Sequence, residues 1–358
     1  MANCCTECFL DDYLKERIKE KGALGKCDFC NSKNVYVVNP RELRSYFGSL
    51  IGLYSAQVEF YPVDLLKECE GRFIWEILSE DWGVFDVPEE GEQIIKAMYR
   101  SGDPHHDESP LFLDNYVDSQ DEFYGTEHEI SDRLKEQWKD FCKEIIYRNR
   151  FFPQKKLDAE LICEILSYSE SIISKGVCLF RARQSEDILS PKEMGPPPNT
   201  EAVAGRANPK WIPYLYLASN PNTAISETRP HVQDRITVGT FRANEQIKVI
   251  DLRNPYIDTP FRWGDRLRFV LDIYAFLRML GDILSKPVRR NQAELEYLPT
   301  QYLCEFMKNQ GYEGVLYKSF LGDEHNIVLF DGQKVECIDT KLYKVASIKV
   351  QSDEIREQ

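Results

Sequence analysis

The sequence specifies an α+β chain in two parts: a mainly α N-terminal part with a Cys4 zinc knuckle, then a mixed α/β part. Three observations lead there. Two CxxC pairs, Cys5-Thr-Glu-Cys8 and Cys27-Asp-Phe-Cys30, are separated by eighteen residues, a spacing that brings four thiolates to one tetrahedral zinc. Hydrophobic periodicity is helical through the first half and changes to short β-rich runs from Gly176. Charge divides with it: residues 1–150 hold 18 Lys and Arg against 31 Asp and Glu, and residues 151–358 hold 27 against 28. The expected domains are 1–35 (zinc knuckle), 36–174 (mainly helical) and 175–350 (mixed α/β).

A closed four-thiolate site leaves no open position for substrate, so Cys5, Cys8, Cys27 and Cys30 are read as a structural staple. Cys4 offers a competing Cys4/Cys8 pair, and a redox CxxC would need a βαβ setting. Leu10, Leu14 and Ile18 then mark a helix that ends near Gly22 and Gly25. Helices are expected over Pro40–Leu50, Asp64–Leu78 and Glu92–Tyr99. Arg100–Glu127, rich in Asp, Gly, Pro and Ser, reads as a loop. Glu129–Arg150 carries Leu134, Trp138, Phe141, Ile145 and Ile146 at helical spacing, and Leu157–Ile173 is a further helix.

Beyond Gly176, strands are expected at Val177–Arg183, Tyr214–Ser219, Ile236–Arg242, Ile247–Leu252, Val315–Lys318, Ile327–Phe330 and Tyr343–Val350. Helices at Asn222–Thr228, Asp265–Leu284 and Pro299–Asn309 stand between them.

The acidic first half repels nucleic acid, which argues against a DNA-binding finger. The near-neutral, arginine-bearing second half can host a small anion. Phe269–Leu284 is the most apolar stretch, but Asp272, Arg278 and Asp282 interrupt it, so it reads as a buried amphipathic helix and no membrane partner is expected. The start MANCCTECF lacks a basic segment and an apolar run, and Cys69, Cys142, Cys163, Cys178, Cys304 and Cys337 are scattered. Both features fit a cytoplasmic protein with reduced thiols.

Gly205-Arg206-Ala207-Asn208-Pro209 reads as a loop entering the strand Tyr214–Ala218, and Asn222–Glu227 then opens a helix with one carboxylate. Alone, Glu227 is an ordinary solvated helix residue. In order, however, Leu179-Phe-Arg-Ala-Arg183, Gly205–Pro209, Tyr214–Ala218 and Thr223–Glu227 resemble the RES domain. So do Tyr297-Leu-Pro-Thr-Gln301, Gly311–Ser319 and Asn326–Phe330, and the resemblance spans roughly 176–332. It implies a fold related to ADP-ribosyltransferase toxins and an enzyme that degrades NAD+ by phosphorolysis or hydrolysis. The first half resembles the zinc-bearing HEPN/RES-type N-terminal domain that precedes some RES domains.

The resemblance places Glu227 as the catalytic carboxylate, Arg181 and Arg206 at the family's arginines, and Ser319 at its serine. Breaking the nicotinamide–ribose bond generates an oxocarbenium-like centre that a carboxylate stabilises, and guanidinium groups supply bidentate donors to phosphate. Arg183 shares a strand face with Arg181 by the period of two. Tyr216, Asn208 and Asn326 are further substrate-binding candidates. NAD+ and inorganic phosphate are the small-molecule partners implied; an antitoxin or regulatory protein and a homo-oligomer belong to the same expectation. A protein ADP-ribosyltransferase and a non-catalytic binding module are the alternatives. Two departures from the family stand out, Lys210-Trp211 where some relatives place glycine, and Pro196–Pro198.

Arg100-Ser-Gly-Asp-Pro-His105 matches the arginine–histidine spacing of HEPN ribonucleases, but Gly102 and Pro104 would break the helix which that chemistry needs. His105-His106-Asp107 is equally weak as a metal site.

Overall fold

A computed structural model of the chain describes residues 2–62, 65, 71–100, 110–120, 129–288 and 293–348. The chain forms two compact units, Met1–Asp132 with Ile257–Asp272, and Arg133–Tyr256 with Ile273–Gln358.

In the first unit, β1 (Cys4–Cys5), β2 (Ala23–Lys26) and β3 (Lys33–Val38) form an antiparallel sheet in the order β1-β3-β2. These strands lie where the sequence suggested only a knuckle. Helix α1 (Asp12–Lys21) starts at Asp11, whose carboxylate accepts from Leu14 N at 2.9 Å. It stops at Gly22, where a Cβ would lie 2.4 Å from the Val37 carbonyl oxygen. Helices α2 (Arg44–Ile51), α3 (Ile74–Glu80) and α4 (Pro88–Tyr99) bury Phe47, Leu50, Leu78 and Ile94 in one core with Leu14 and Ile18. Phe261 and Leu267 join that core from far along the chain, and the Phe47 and Phe261 rings are 4.8 Å apart. Each such buried side chain contributes about 1.5–3 kcal/mol.

Two expectations need correction in this unit. The helix expected over Asp64–Leu78 begins only at Ile74: Arg72 bridges to Val117 as extended chain, and Glu76 holds the Phe73 N–H at 2.7 Å. Most of its first part lies outside the described residues. Within the expected loop Arg100–Glu127, Val117–Ser119 is a strand, β5, paired with β4 (Tyr54–Ala56), because Leu113 and Val117 are apolar enough to be buried in the core. Cys69, the Arg100–His105 motif beyond Arg100, and His105-His106-Asp107 lie outside the described residues.

The second unit opens within α5 (Glu129–Tyr147), whose Phe141 ring packs 4.6 Å from Tyr302. Helix α6 (Ala159–Ser167) is capped by Asp158, which accepts from Glu160 N and Leu161 N at 3.1 Å each. The helix expected to reach Ile173 ends there. Glu170–Ile173 instead forms an edge strand, β6, because the β-branched Ile172-Ile173 pair finds a ladder on β10.

The unit's sheet has eight strands in the order β13-β9-β7-β8-β12-β11-β10-β6. They are β6, β7 (Cys178–Gln184), β8 (Leu215–Ala218), β9 (Arg235–Ala243), β10 (Ile247–Asp251), β11 (Gly314–Lys318), β12 (His325–Leu329) and β13 (Val335–Lys344). Among the described residues only β10 and β11 pair in parallel, so the sheet is mixed and the chain α+β. Leu179, Leu217, Phe241, Val249 and Leu329 pack one face. The strand expected at Tyr343–Val350 runs from Val335 and ends at Lys344, which pairs with Arg235, the first residue of β9; Val345 bonds the turn before β9 instead, donating to the Asp234 carbonyl and accepting from Gln233 N at 2.9 Å each.

Helices α7 (Pro221–Glu227), α8 (Leu267–Ser285), α9 (Ala293–Glu296) and α10 (Leu298–Asn309) complete the chain. In α8, Val270, Ile273, Phe276, Leu277, Leu280 and Leu284 are all buried, the three-and-four spacing of an amphipathic helix. Among the described residues no helix is long and apolar enough to cross a membrane.

Candidate functional site

Strands β7 and β8 meet at one pair, Phe180 with Ala218, while β7 otherwise follows β9. A cleft of about 280 Å³ opens where they part, lined by Phe180, Arg181, Tyr216, Glu227, Tyr317 and Asn326, among others. Strand β8 passes through Ser219 into α7, whose first turn is closed by Asn220 accepting from Thr223 N at 2.8 Å and by Pro221. Ile225 packs on the cluster of Ile236, Val238 and Val345, as do Phe180 and Ala182 of β7, and Glu227 is left exposed at the helix's last position.

The Glu227 carboxylate is fixed from the other side of the cleft. Its Oε1 accepts from Ser319 Oγ at 2.6 Å and from Asn326 Nδ2 at 2.6 Å. Ser319 Oγ itself accepts from Leu321 N at 3.2 Å and Gly322 N at 2.9 Å, which folds the β11–β12 loop around it. Gly322 is pressed on Thr223 of α7: a Cβ there would come within 2.7 Å of the Thr223 hydroxyl. Among the described residues Oε2 takes no hydrogen bond. A carboxylate at the C-terminal end of a helix opposes the macrodipole, so helix stability is not the reason for its position.

Arg181 and Arg183 lie on one face of β7, and both donate to the Gly195 carbonyl, at 3.0 and 2.7 Å. Neither forms an ion pair among the described residues, and the buried Arg183 Nε has no partner. Burial, and then the Arg183 charge, push Arg181 down to about 10. Two crowded cations sharing one neutral acceptor form a place for an anion.

The Gly205–Pro209 loop is tightly built. Tyr216 donates its hydroxyl to Asn208 Oδ1 at 2.8 Å and accepts from Ala207 N at 3.0 Å. Asn208 Nδ2 reaches the carbonyls of Val203, Pro209 and Ile212 at 2.9–3.0 Å. Gly205 is forced, since a Cβ would stand 2.4 Å from Asn208 Oδ1 and 2.5 Å from the Tyr216 oxygen. From α10, Thr300 donates to the Arg206 carbonyl and Gln301 to those of Gly205 and Asn208. Asn208, buried and fully bonded, therefore builds the loop and does not line the cleft. Nor does Arg206, whose guanidinium donates to the Leu284 carbonyl near the end of α8. Tyr216 presents its ring to the cleft while its hydroxyl is committed to the loop. At the departure from the family, Trp211 has φ +69°, the left-handed conformation glycine adopts at no cost.

Sequence reasoning passed over Tyr317. It is 5% exposed and lines the cleft, and its hydroxyl has no hydrogen bond among the described residues. The available signal was its position two residues before Ser319, the period that returns a strand to one face.

In the first unit, the Sγ atoms of Cys5, Cys8, Cys27 and Cys30 all lie within 4.8 Å of one another. Cys5–Cys8, Cys5–Cys30 and Cys8–Cys27 are 3.9, 3.5 and 3.5 Å apart, against about 3.8 Å for tetrahedral sulfurs at a Zn–S distance of about 2.3 Å. Phe29 N donates to Cys27 Sγ at 3.4 Å. Burial, and then the hydrogen bond with Cys30, push the Cys5 thiol up to about 12, so its thiolate would need a cation beside it. Cys4 turns away and donates to the Val38 carbonyl. The four sulfurs can hold a metal ion.

No curated protein matches the chain. Among solved structures it is similar to a chain of the M. tuberculosis MbcT–MbcA toxin–antitoxin complex. The identity is 13%, the TM-score 0.33, and the match covers 53% of this chain and 94% of that one. Two family models match: residues 179–347 match the RES domain, over the part that carries the motifs, and residues 20–158 match HEPN/RES N-terminal domain 1, which takes in Cys27 and Cys30 but begins after Cys5 and Cys8.

Proposed function

We propose that the cleft breaks the nicotinamide–ribose bond of NAD+ and transfers the ribosyl carbon to inorganic phosphate or water. The observation that carries this reading is the Glu227 carboxylate, fixed by Ser319 and Asn326, in a cleft whose wall also bears Arg181. As the bond breaks, its electron pair passes to the pyridinium nitrogen, which leaves as neutral nicotinamide. Positive charge develops on the ribosyl carbon, where a preorganised carboxylate stabilises it.

Arg181 and Arg183 would exchange the single Gly195 carbonyl for phosphate oxygens, a stronger, charge-assisted partner. Tyr216 offers its ring face, and Ser319 and Asn326 hold the carboxylate. Arg206 joins the ligand only by leaving the Leu284 carbonyl, and Asn208 acts through the loop it builds. Attack by a phosphate oxygen forms ADP-ribose-1″-phosphate; attack by water forms ADP-ribose and releases a proton. The four cysteines hold structural zinc in this reading. In this reading the chain depletes NAD+ as a toxin or a defence effector in the cytoplasm, under an antitoxin or regulatory protein, and can assemble as a homo-oligomer.

The test is product identification after incubation of the purified full chain with NAD+, with and without phosphate. Nicotinamide release with ADP-ribose-1″-phosphate or ADP-ribose supports the proposal and decides the acceptor. ADP-ribose attached to protein would replace it with a protein ADP-ribosyltransferase. Absence of nicotinamide release from folded protein would leave a non-catalytic binding module.

A further inference from the structure

Tyr317 holds a position that the NAD+ reading leaves without a role. Cross-strand pairing sets it opposite Asn326, Asn326 opposite Ala218, and Ala218 opposite Phe180. Directly opposed residues share a face, and all four line the cleft. Tyr317 is thus held on the cleft face by the register of four strands, and no local rearrangement of its own strand would turn it away.

Its hydroxyl differs from that of Tyr216. Tyr216 is bonded on both sides by Asn208 and Ala207, whereas the Tyr317 hydroxyl is unbonded among the described residues although the residue is 5% exposed. The Tyr317 ring is buried but its oxygen is not, so the hydroxyl opens on the cleft, where a ligand can reach it. Burial first, with smaller contributions that include the nearby Glu227 charge, raises the phenol well above its usual range. It therefore stays a neutral O–H, able to donate at any working pH. The cleft then holds an unused donor on Tyr317 and an unused acceptor in Glu227 Oε2. A sugar hydroxyl, which donates and accepts at once, satisfies both.

We propose that Tyr317 is a substrate-binding residue whose hydroxyl donates to a ribose hydroxyl of the ligand facing Glu227, so that the cleft selects ribosyl over deoxyribosyl substrates. The proposal rests on the NAD+ reading above and extends it to a residue and a specificity.

The experiment compares wild type and Tyr317→Phe in the full chain on NAD+ and on analogues lacking one hydroxyl of the nicotinamide ribose. Losing one hydrogen bond to a neutral partner reads as about a tenfold loss in kcat/KM, and more if the site is left unpaired. We expect Tyr317→Phe to lose about tenfold or more on NAD+. On one analogue the variant and wild type should converge, since the bond is already absent. The melting temperature of Tyr317→Phe should equal or exceed that of wild type, because the hydroxyl removed has no partner in the protein. Wild-type kcat/KM in Tyr317→Phe, an undiminished loss on every analogue, or a clear fall in melting temperature would each overturn the role of Tyr317 while leaving NAD+ cleavage standing. Absence of both NAD+ turnover and NAD+ binding, by calorimetry, in the wild type would overturn the NAD+ reading and this inference together.

Discussion

Ser319 and Asn326 converge on one oxygen of Glu227, each at 2.6 Å. Ser319 ends the β11 side of the loop and Asn326 lies in β12, so a single turn of chain grips the carboxylate that α7 brings from the opposite side. A carboxylate held this way does not have to reorganise when positive charge forms beside it.

Glu227→Gln keeps the shape and an oxygen for Ser319 and Asn326 but removes the charge. Turnover of NAD+ should fall by about 10²–10³ with affinity largely kept. The melting temperature should hold or rise slightly, since a charge opposing the helix dipole is worth about 0.3–1 kcal/mol. Kinetics, calorimetry and a thermal melt on one preparation check this. Turnover near wild type would place the catalytic carboxylate elsewhere.

Arg181→Gln keeps a donor for the Gly195 carbonyl and relieves the crowding of two cations. NAD+ affinity should fall by about tenfold to a hundredfold, the worth of one or two charge-assisted bonds. Thermal stability should not fall, because the lost charge had no ion-pair partner. An unchanged Kd, or a destabilised protein, would contradict the assignment of Arg181 to the ligand's phosphates.

His325 begins β12, beside Asn326, with Nε2 3.2 Å from Arg253 Nη1 and Glu324 and Asp251 nearby. Burial, and then the Arg253 charge, lower its folded pKa below the ordinary 6.5. The unfolded chain thus binds a proton first, so stability is full above about pH 6.5 and falls as pH drops through the folded value. His325→Gln should lose less melting temperature than wild type between about pH 7.5 and 5.5. Equal losses would remove His325 as the source.

Freshly purified protein should carry about one zinc per chain, by elemental analysis, if the four sulfurs close one site. Cys27→Ser should release it and destabilise the first unit, since binding of a structural metal is coupled to folding. Metal-free wild-type protein that melts like the purified sample would refute this.

Local chemistry in the sequence was enough to mark several features. The paired CxxC spacing names its four sulfurs whatever the rest of the chain does. Pro221 behind Asn220, and Pro299 at the start of its helix, mark helix starts through backbone geometry alone. The motifs around Glu227, Ser319 and Asn326 placed three groups that the fold brings together. Partners that close over long distances were not legible. Whether Arg206 meets a ligand or the Leu284 carbonyl, and whether Asn208 lines a cleft or builds a loop, depend on contacts with distant chain or on saturation within the loop. The same holds for Phe261, which lies among the RES motifs in sequence and yet packs with Phe47. Tyr317 shows the limit most directly. Its residue type reads as core, and only the register of β7, β8, β12 and β11 puts its hydroxyl on the cleft face. Periodicity reports which face of an element is apolar, but a hydrogen bond's partner is chosen by strand register and loop closure, which only the folded chain determines.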